Sequence, residues 1–198
     1  MSLMERAKNI LLQPKSEWPV IEGEQATTAS LYTGYIIPLA LIGPVASIIG
    51  WSVFGFRVPF VGSIRYPIGI SIRNGVVVYV LSLVSVFVLA LIIDALAPTF
   101  GGQKNQVQAL KTSAYSSTAA WVGGIFNLFP AIALLGLLAA LYSCFLLYLG
   151  LPVVMKAPQD KAVGYTAVVI IVAIVLYFVI GAIVAQFAYR PGMGMPGM

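Results

Sequence analysis

Few residues in this chain could do chemistry, and their types exclude more than they suggest. Histidine is absent from the 198 residues, and there is one cysteine, Cys144. A disulfide within the chain is impossible, a zinc site of histidine and cysteine ligands is nearly excluded, and a Ser–His–Asp triad cannot be assembled. No residue pattern asks for a cofactor. Asp94 is the one acid inside a long apolar stretch, Leu91-Ile92-Ile93-Asp94. A charge at mid-bilayer costs roughly 2.5–3.5 kcal/mol, so an acid there points to proton coupling or cation binding. Asp94 lies near the end of its stretch, where that cost falls, so a structural pair with Lys111 or a solvated end is the competing reading. After Lys111 comes a hydroxyl-rich run: Thr112, Ser113, Tyr115, Ser116, Ser117 and Thr118. Such residues line a polar path, or they bond to carbonyls four residues back and pack helices. A Ser–Lys nucleophile built from Ser113 or Ser116 with Lys111 is the remaining enzymatic arrangement. Lys156, Asp160 and Lys161 form a polar turn that is either a set of topology markers or a docking surface. The terminal methionines Met193, Met195 and Met198 offer soft thioethers of the kind that suit copper.

The elements that must position these groups are membrane spans. Sixty per cent of the residues are hydrophobic, 9% are charged and the mean hydropathy is +0.98. An ordinary soluble domain is about 25% charged, so a soluble globular fold is excluded. Charges are missing altogether from 25–56, 74–93, 112–155 and 162–189, runs of 32, 20, 44 and 28 residues. A helix needs about 20 apolar residues to cross the hydrocarbon layer. Three runs hold one span each and the longest holds two. The expected fold is therefore an all-α polytopic membrane protein, a bundle of five transmembrane helices at about 31–54, 74–97, 110–128, 131–154 and 163–187.

Around the spans the signals are local. Leu3, Met4, Ala7, Ile10 and Leu11 recur at helical spacing, with Glu5, Arg6, Lys8 and Asn9 assigned to the other side. This predicts a short amphipathic helix, lying in the interface or packed on the protein's own loops; residues 1–24 form a cytosolic or interfacial segment. Pro38 and Pro44 should kink the first span. Gly43 with Ser47 presents small residues four apart, a spacing that lets another helix approach closely. In the third span Thr112, Ser116, Ala120 and Gly124 form a similar ridge, which suits the centre of a bundle better than a lipid-facing surface. Residues 57–73 contain an echo, Arg57-Val-Pro59 to Ser63-Ile64 against Arg65-Tyr-Pro67 to Ser71-Ile72, readable as a small hairpin or as a helix start at Pro67. Residues 163–187 include 15 of Val, Ile, Leu or Phe and read as a peripheral span. The Met/Gly/Pro tail, 190–198, has no core to join and is expected to be disordered.

Lysines and arginines give an orientation. Seven (Arg6, Lys8, Lys15, Lys104, Lys111, Lys156, Lys161) fall on the amino-terminal side, and four (Arg57, Arg65, Arg73, Arg190) on the other. The bias places the amino terminus in the cytoplasm and the carboxy terminus on the exported side.

Several stretches resemble the bacterial branch of the Yip family. They are Pro14-Lys-Ser-Glu-Trp18, Tyr35-Ile-Ile-Pro-Leu-Ala, Ala97-Pro-Thr-Phe-Gly-Gly102 and Ala114-Tyr115. The most specific is Leu147-Leu-Tyr-Leu-Gly-Leu-Pro-Val-Val-Met-Lys-Ala-Pro158, with Asp160-Lys161 and Gly164-Tyr165-Thr166. The resemblance covers nearly the whole chain and adds Tyr165 to the candidate residues. It implies five spans with a cytosolic amino terminus. Family members often carry a proline after the Tyr-Ser-Ser-Thr stretch; Ala119 and Ala120 stand there instead. Eukaryotic members act with small GTPases and trafficking factors, partners that do not transfer to a bacterial cell.

Two functional classes follow. The first is a non-enzymatic membrane-organising or adaptor protein of the bacterial inner membrane. Its partners are the lipid bilayer and either a second copy or another membrane protein, not nucleic acid. The alternative is a small transporter or channel that uses the polar third span and Asp94. No inverted repeat and no ionisable residue at mid-membrane favours the second class.

Overall fold

The computed structural model describes residues 1–58 and 62–188; the 190–198 tail and its methionines lie outside them, as does the middle of the 57–73 echo. Among the described residues four helices are long and apolar enough to cross a membrane: Thr28–Phe54, Ile68–Phe100, Leu135–Val154 and Gln159–Gln186. Their outer faces are apolar. Val76, Val80 and Val84, one turn apart on the second of them, are each more than half exposed, as are Leu137, Leu138 and Leu141 on the third. Apolar surface of this extent does not persist in water, so these faces meet lipid.

Two short helices precede the spans. Leu3–Leu12 begins in a capping box: the Ser2 hydroxyl accepts from the Glu5 amide (3.2 Å), and the Ser2 amide donates to the Glu5 carboxylate (2.9 Å). The Ser2 amide, joined by the Ser2 hydroxyl donating to the same carboxylate (3.0 Å), holds the Glu5 carboxyl below its usual range. Pro14 occupies the first turn of the second helix, Pro14–Gly23, where its missing N–H costs nothing. Together they form a hairpin folded onto the bundle. Ile10, Trp18 and Ile21 are fully buried. Trp18 lies across Gly150, where an added Cβ would come within 2.6 Å of the indole. Arg6, assigned by spacing to the polar side, is turned inward beside Ala7 and Ile10, because the buried Glu17 carboxylate and that of Glu24 meet it there.

The first span is interrupted rather than simply kinked. A π-helical turn, Tyr32–Ile36, precedes Pro38, and the α-helix restarts at Ile42. Proline has no N–H to give to the ladder, and the backbone adjusts around it. Between the first two spans both readings of the echo are realised. Phe56–Val58 pairs antiparallel with Gly62–Ile64, Phe56 opposite Ile64, and Pro67 then caps the helix that starts at Ile68.

Residues 110–128 do not form one continuous helix. The chain folds as Gln106–Ser116 and Thr118–Gly123, followed by 3₁₀ turns at Gly124–Leu128 and Pro130–Ile132. No proline is needed for the break. The Ser116 and Ser117 hydroxyls both donate to the Ser113 carbonyl (3.1 and 2.8 Å), and Thr118 donates to that of Tyr115 (2.7 Å). These bonds crowd the acceptors of the helical ladder, although the Ser117 amide still donates to the Ser113 carbonyl (3.2 Å). The Gln106–Ser116 helix nonetheless sits at the centre: every residue from Ala109 to Ser116 is buried. The final helix, Gln159–Ala188, is peripheral only in its second half. Ala162, Tyr165, Thr166 and Val169 are buried, whereas Ile171, Val175 and Phe178 are more than half exposed.

Candidate functional site

The polar residues converge where the amino-terminal hairpin meets the start of the Gln106–Ser116 helix. Asn105 caps that helix, its side chain accepting from the amides of Val107 and Gln108 (both 3.1 Å). One turn on, Lys111 is 2% exposed. Its ammonium donates to the carbonyls of Ile21 (2.8 Å), Glu22 (3.4 Å) and Glu24. Ile21 and Glu22 supply two of the last carbonyls of Pro14–Gly23, which have no partner within their own helix, and Glu24 is its C-cap; a cation there also complements the helix dipole. Lys111 is thus a cap supplied from another element, and the expected pair with Asp94 is not made. Asp94 lies in the neighbouring long helix, and its Oδ1 is buried with no partner among the described residues. Beside it, Tyr165 is fully buried, donates its hydroxyl to the Ile93 carbonyl and stacks on Phe100 at 4.9 Å.

Next to Lys111 is an ionic cluster that the sequence reading missed. Arg6 is 5% exposed and pairs with Glu17, itself 6% exposed, and with Glu24. Its guanidinium lies 5.8 Å from the centre of the Tyr115 ring, a cation–π distance. The Tyr115 ring lies 4.5 Å from that of Tyr35. Thr118 has already given its proton to the Tyr115 carbonyl, so Tyr35 donates to Thr118 at 2.7 Å. One signal was available in the sequence: Arg6 follows the i, i+1, i+4 stripe of Ala7 and Ile10, and four acids stand in the first 24 residues.

The remaining candidate hydroxyls bond to backbone. Ser113 donates to the Val86 carbonyl (2.9 Å), Thr112 to Gln108 (2.9 Å) and Ser116 to Ser113. Neither Ser113 nor Ser116 is aimed at Lys111, so the nucleophile arrangement is not assembled. A cavity of about 350 Å³ lies beside the cluster, lined by Arg6, Glu24, Tyr35 and Tyr115 among others; Asp94 is not part of it.

The small-residue ridge is split by the break at Ser117. Thr112 and Ser116 are buried, but Ala120 is turned outward; its amide, in the first turn of the new helix, is satisfied by the Ser143 hydroxyl at 3.0 Å. Gly124 returns to the interior against Gly43, and a Cβ added there would lie 2.7 Å from the Gly43 Cα. Ser47, one turn beyond Gly43, borders a separate cavity near the far end. At the near end, Lys156 adopts a left-handed φ of 55° after the Leu135–Val154 helix and pairs with Glu22 at 2.6 Å. Asp160 and Lys161 are exposed.

A bundle of long apolar helices with lipid-facing sides, pinned at one end by ion pairs of which Arg6–Glu17 is buried, defines an integral membrane protein. The Yip1 domain model matches residues 8–182, and the chain belongs to that family. Curated relatives include the inner membrane protein YohC of Escherichia coli K12 and of E. coli O6:H1 strain CFT073. Each is 21% identical over 183 residues, covering 91% of this chain and 94% of its own. No solved structure matches significantly.

Proposed function

We propose that this protein is a non-enzymatic membrane-organising or adaptor protein of a bacterial inner membrane. The observation that carries the proposal is how the polar side chains are used. Lys111, Arg6 and Ser113, and Thr118 through Tyr35, hold one element to another, while Asp160 and Lys161 remain exposed for a partner. In this reading 25–189 is a single five-span domain, and 106–128 is its third span, broken because neighbouring helices rather than lipid surround it. The amino terminus is cytoplasmic and the carboxy terminus exported, in keeping with the seven-to-four basic bias. The outer face of Leu3–Leu12, with Met4 and Leu12 exposed, lies in the headgroup layer. The names of the E. coli relatives agree with an inner-membrane location.

One observation favours the transporter alternative: the buried, unpartnered Oδ1 of Asp94. Proteoliposomes separate the two readings. The adaptor reading expects proton, potassium and sodium fluxes equal to those of protein-free vesicles. A flux above that background, lost in Asp94→Asn with the fold intact, would replace it with the transporter reading. Site-specific photocrosslinkers at Asp160 and Lys161 should give a discrete protein adduct in cells, and one at the lipid-facing Val80 should not.

A further inference from the structure

At the opposite end of the bundle, a cavity of about 310 Å³ lies between the first, second and last long helices. Its volume is at the small end of the roughly 300–1,000 Å³ range of ligand pockets, the size of a headgroup rather than a whole lipid. Trp51 and Tyr66 form one wall, their rings edge to face at 5.5 Å, and the Tyr66 amide donates to the Trp51 carbonyl at 3.1 Å. The floor is polar and unsatisfied. Ser71 is 7% exposed and its hydroxyl has no partner among the described residues; the same holds for the buried Asn74 Oδ1. Buried polar atoms without partners are rare in native proteins and ask for a ligand or water. Below them the lining is apolar, with Pro44, Val78 and Val184.

Three facts narrow the ligand. Asn74 begins the charge-free run 74–93, so the pocket sits at the hydrocarbon edge, where interfacial Trp and Tyr belong. Its apolar lower wall is formed by membrane-spanning helices, which suits an acyl chain. Finally, no acid occurs between Glu24 and Asp94, whereas Arg65 directly precedes Tyr66. An ammonium headgroup would meet cationic surroundings with no anion to pair with. A phosphodiester whose headgroup lacks hydroxyls offers only acceptors, and Asn74 Oδ1 needs a donor. An anionic phospholipid whose headgroup carries hydroxyls meets all three conditions.

We propose that this cavity binds the headgroup of a phosphatidylglycerol-type lipid. Its hydroxyls bond Ser71 and Asn74, its phosphate faces Arg65, and an acyl chain descends past Val78 and Val184. The inference adds a lipid site to the adaptor reading and does not depend on which way the protein is inserted.

The test is tryptophan quenching by lipids with brominated chains, using the full chain in phosphatidylcholine vesicles. A Trp51→Phe variant supplies the background from Trp18 and Trp121. Brominated phosphatidylglycerol should quench Trp51 at least about fivefold beyond its mole fraction, and brominated phosphatidylethanolamine should show no excess. Ser71→Ala removes only a hydroxyl, within a helix where alanine is well tolerated. It should lower the phosphatidylglycerol excess at least threefold, and Asn74→Leu should do the same. Equal quenching by both lipids would overturn the proposal. So would an excess that neither variant changes, which would indicate general attraction to anionic lipid. Loss of the excess on adding soluble glycerol phosphate would assign the pocket to a solute instead.

Discussion

Replacing Lys111 by methionine keeps the aliphatic stem and removes the ammonium that joins the bundle to the amino-terminal hairpin. Three carbonyls lose a donor: Ile21 at 2.8 Å, Glu24, and Glu22 at 3.4 Å. A hydrogen bond from a charged group contributes about 1.5–3 kcal/mol. The longest of the three counts for little, and Glu24, whose side chain is 43% exposed, regains water. The net loss is then about 2–3 kcal/mol, or about 30–150-fold in the opening equilibrium of the hairpin at 1.4 kcal/mol per decade. Hydrogen exchange reads this directly. Amide protection over 14–24 should fall by that factor in Lys111→Met, while protection over 76–90 is unchanged. Combining Lys111→Met with Asp94→Asn should be additive within about 0.5 kcal/mol, since the two side chains share no partner. Unchanged protection of the hairpin would refute the capping role. A coupling of more than about 1 kcal/mol would show that Lys111 and Asp94 do pair.

Other perturbations test the packing. Arg6→Met leaves the buried Glu17 carboxylate unpaired and should destabilise by about 3–5 kcal/mol in thermal unfolding in detergent; adding Glu17→Gln should recover part of that loss. Gly124→Leu pushes a side chain into the Gly43 backbone and should cost about 3 kcal/mol or more, seen as loss of the monodisperse peak in size exclusion. Gly34→Ala, where nothing lies within 4 Å, should elute as wild type. Val169→Leu enlarges a fully buried side chain and should lower stability by about 1–3 kcal/mol, whereas Val175→Leu, 55% exposed, should be silent in the same melt.

The long helices were legible because charge in hydrocarbon is costly: the runs 25–56, 74–93 and 162–189 each mark one long apolar helix, two of which extend beyond their run. The helix start after Pro67 and the central place of the hydroxyl-rich segment followed from equally local rules. Lys111 did not follow. A sequence displays side-chain charges as candidate partners, and its true acceptors are backbone carbonyls about 90 residues earlier. Arg6 was misplaced for a related reason. An inward arginine is unfavourable until Glu17 and Glu24 meet it, and that meeting depends on the hairpin closing. Val169 was read as peripheral because valine suits lipid and a protein interior alike; only the neighbouring helices distinguish the buried half of Gln159–Ala188 from its exposed half. Ala120 left the ridge because the helical period on which the ridge depended is interrupted between Ser116 and Thr118.

At the centre of the account is the proposal that the broken, hydroxyl-rich segment 106–128 crosses the membrane as the third of five spans. The side on which the carboxy terminus emerges tests it most directly. Paired reporters fused after Met198, one active only outside the cytoplasm and one only within it, should show the exported reporter active when the amino terminus is cytoplasmic. Activity of the cytoplasmic reporter instead would mean an even number of crossings, with 106–128 failing to span, and would contradict the account.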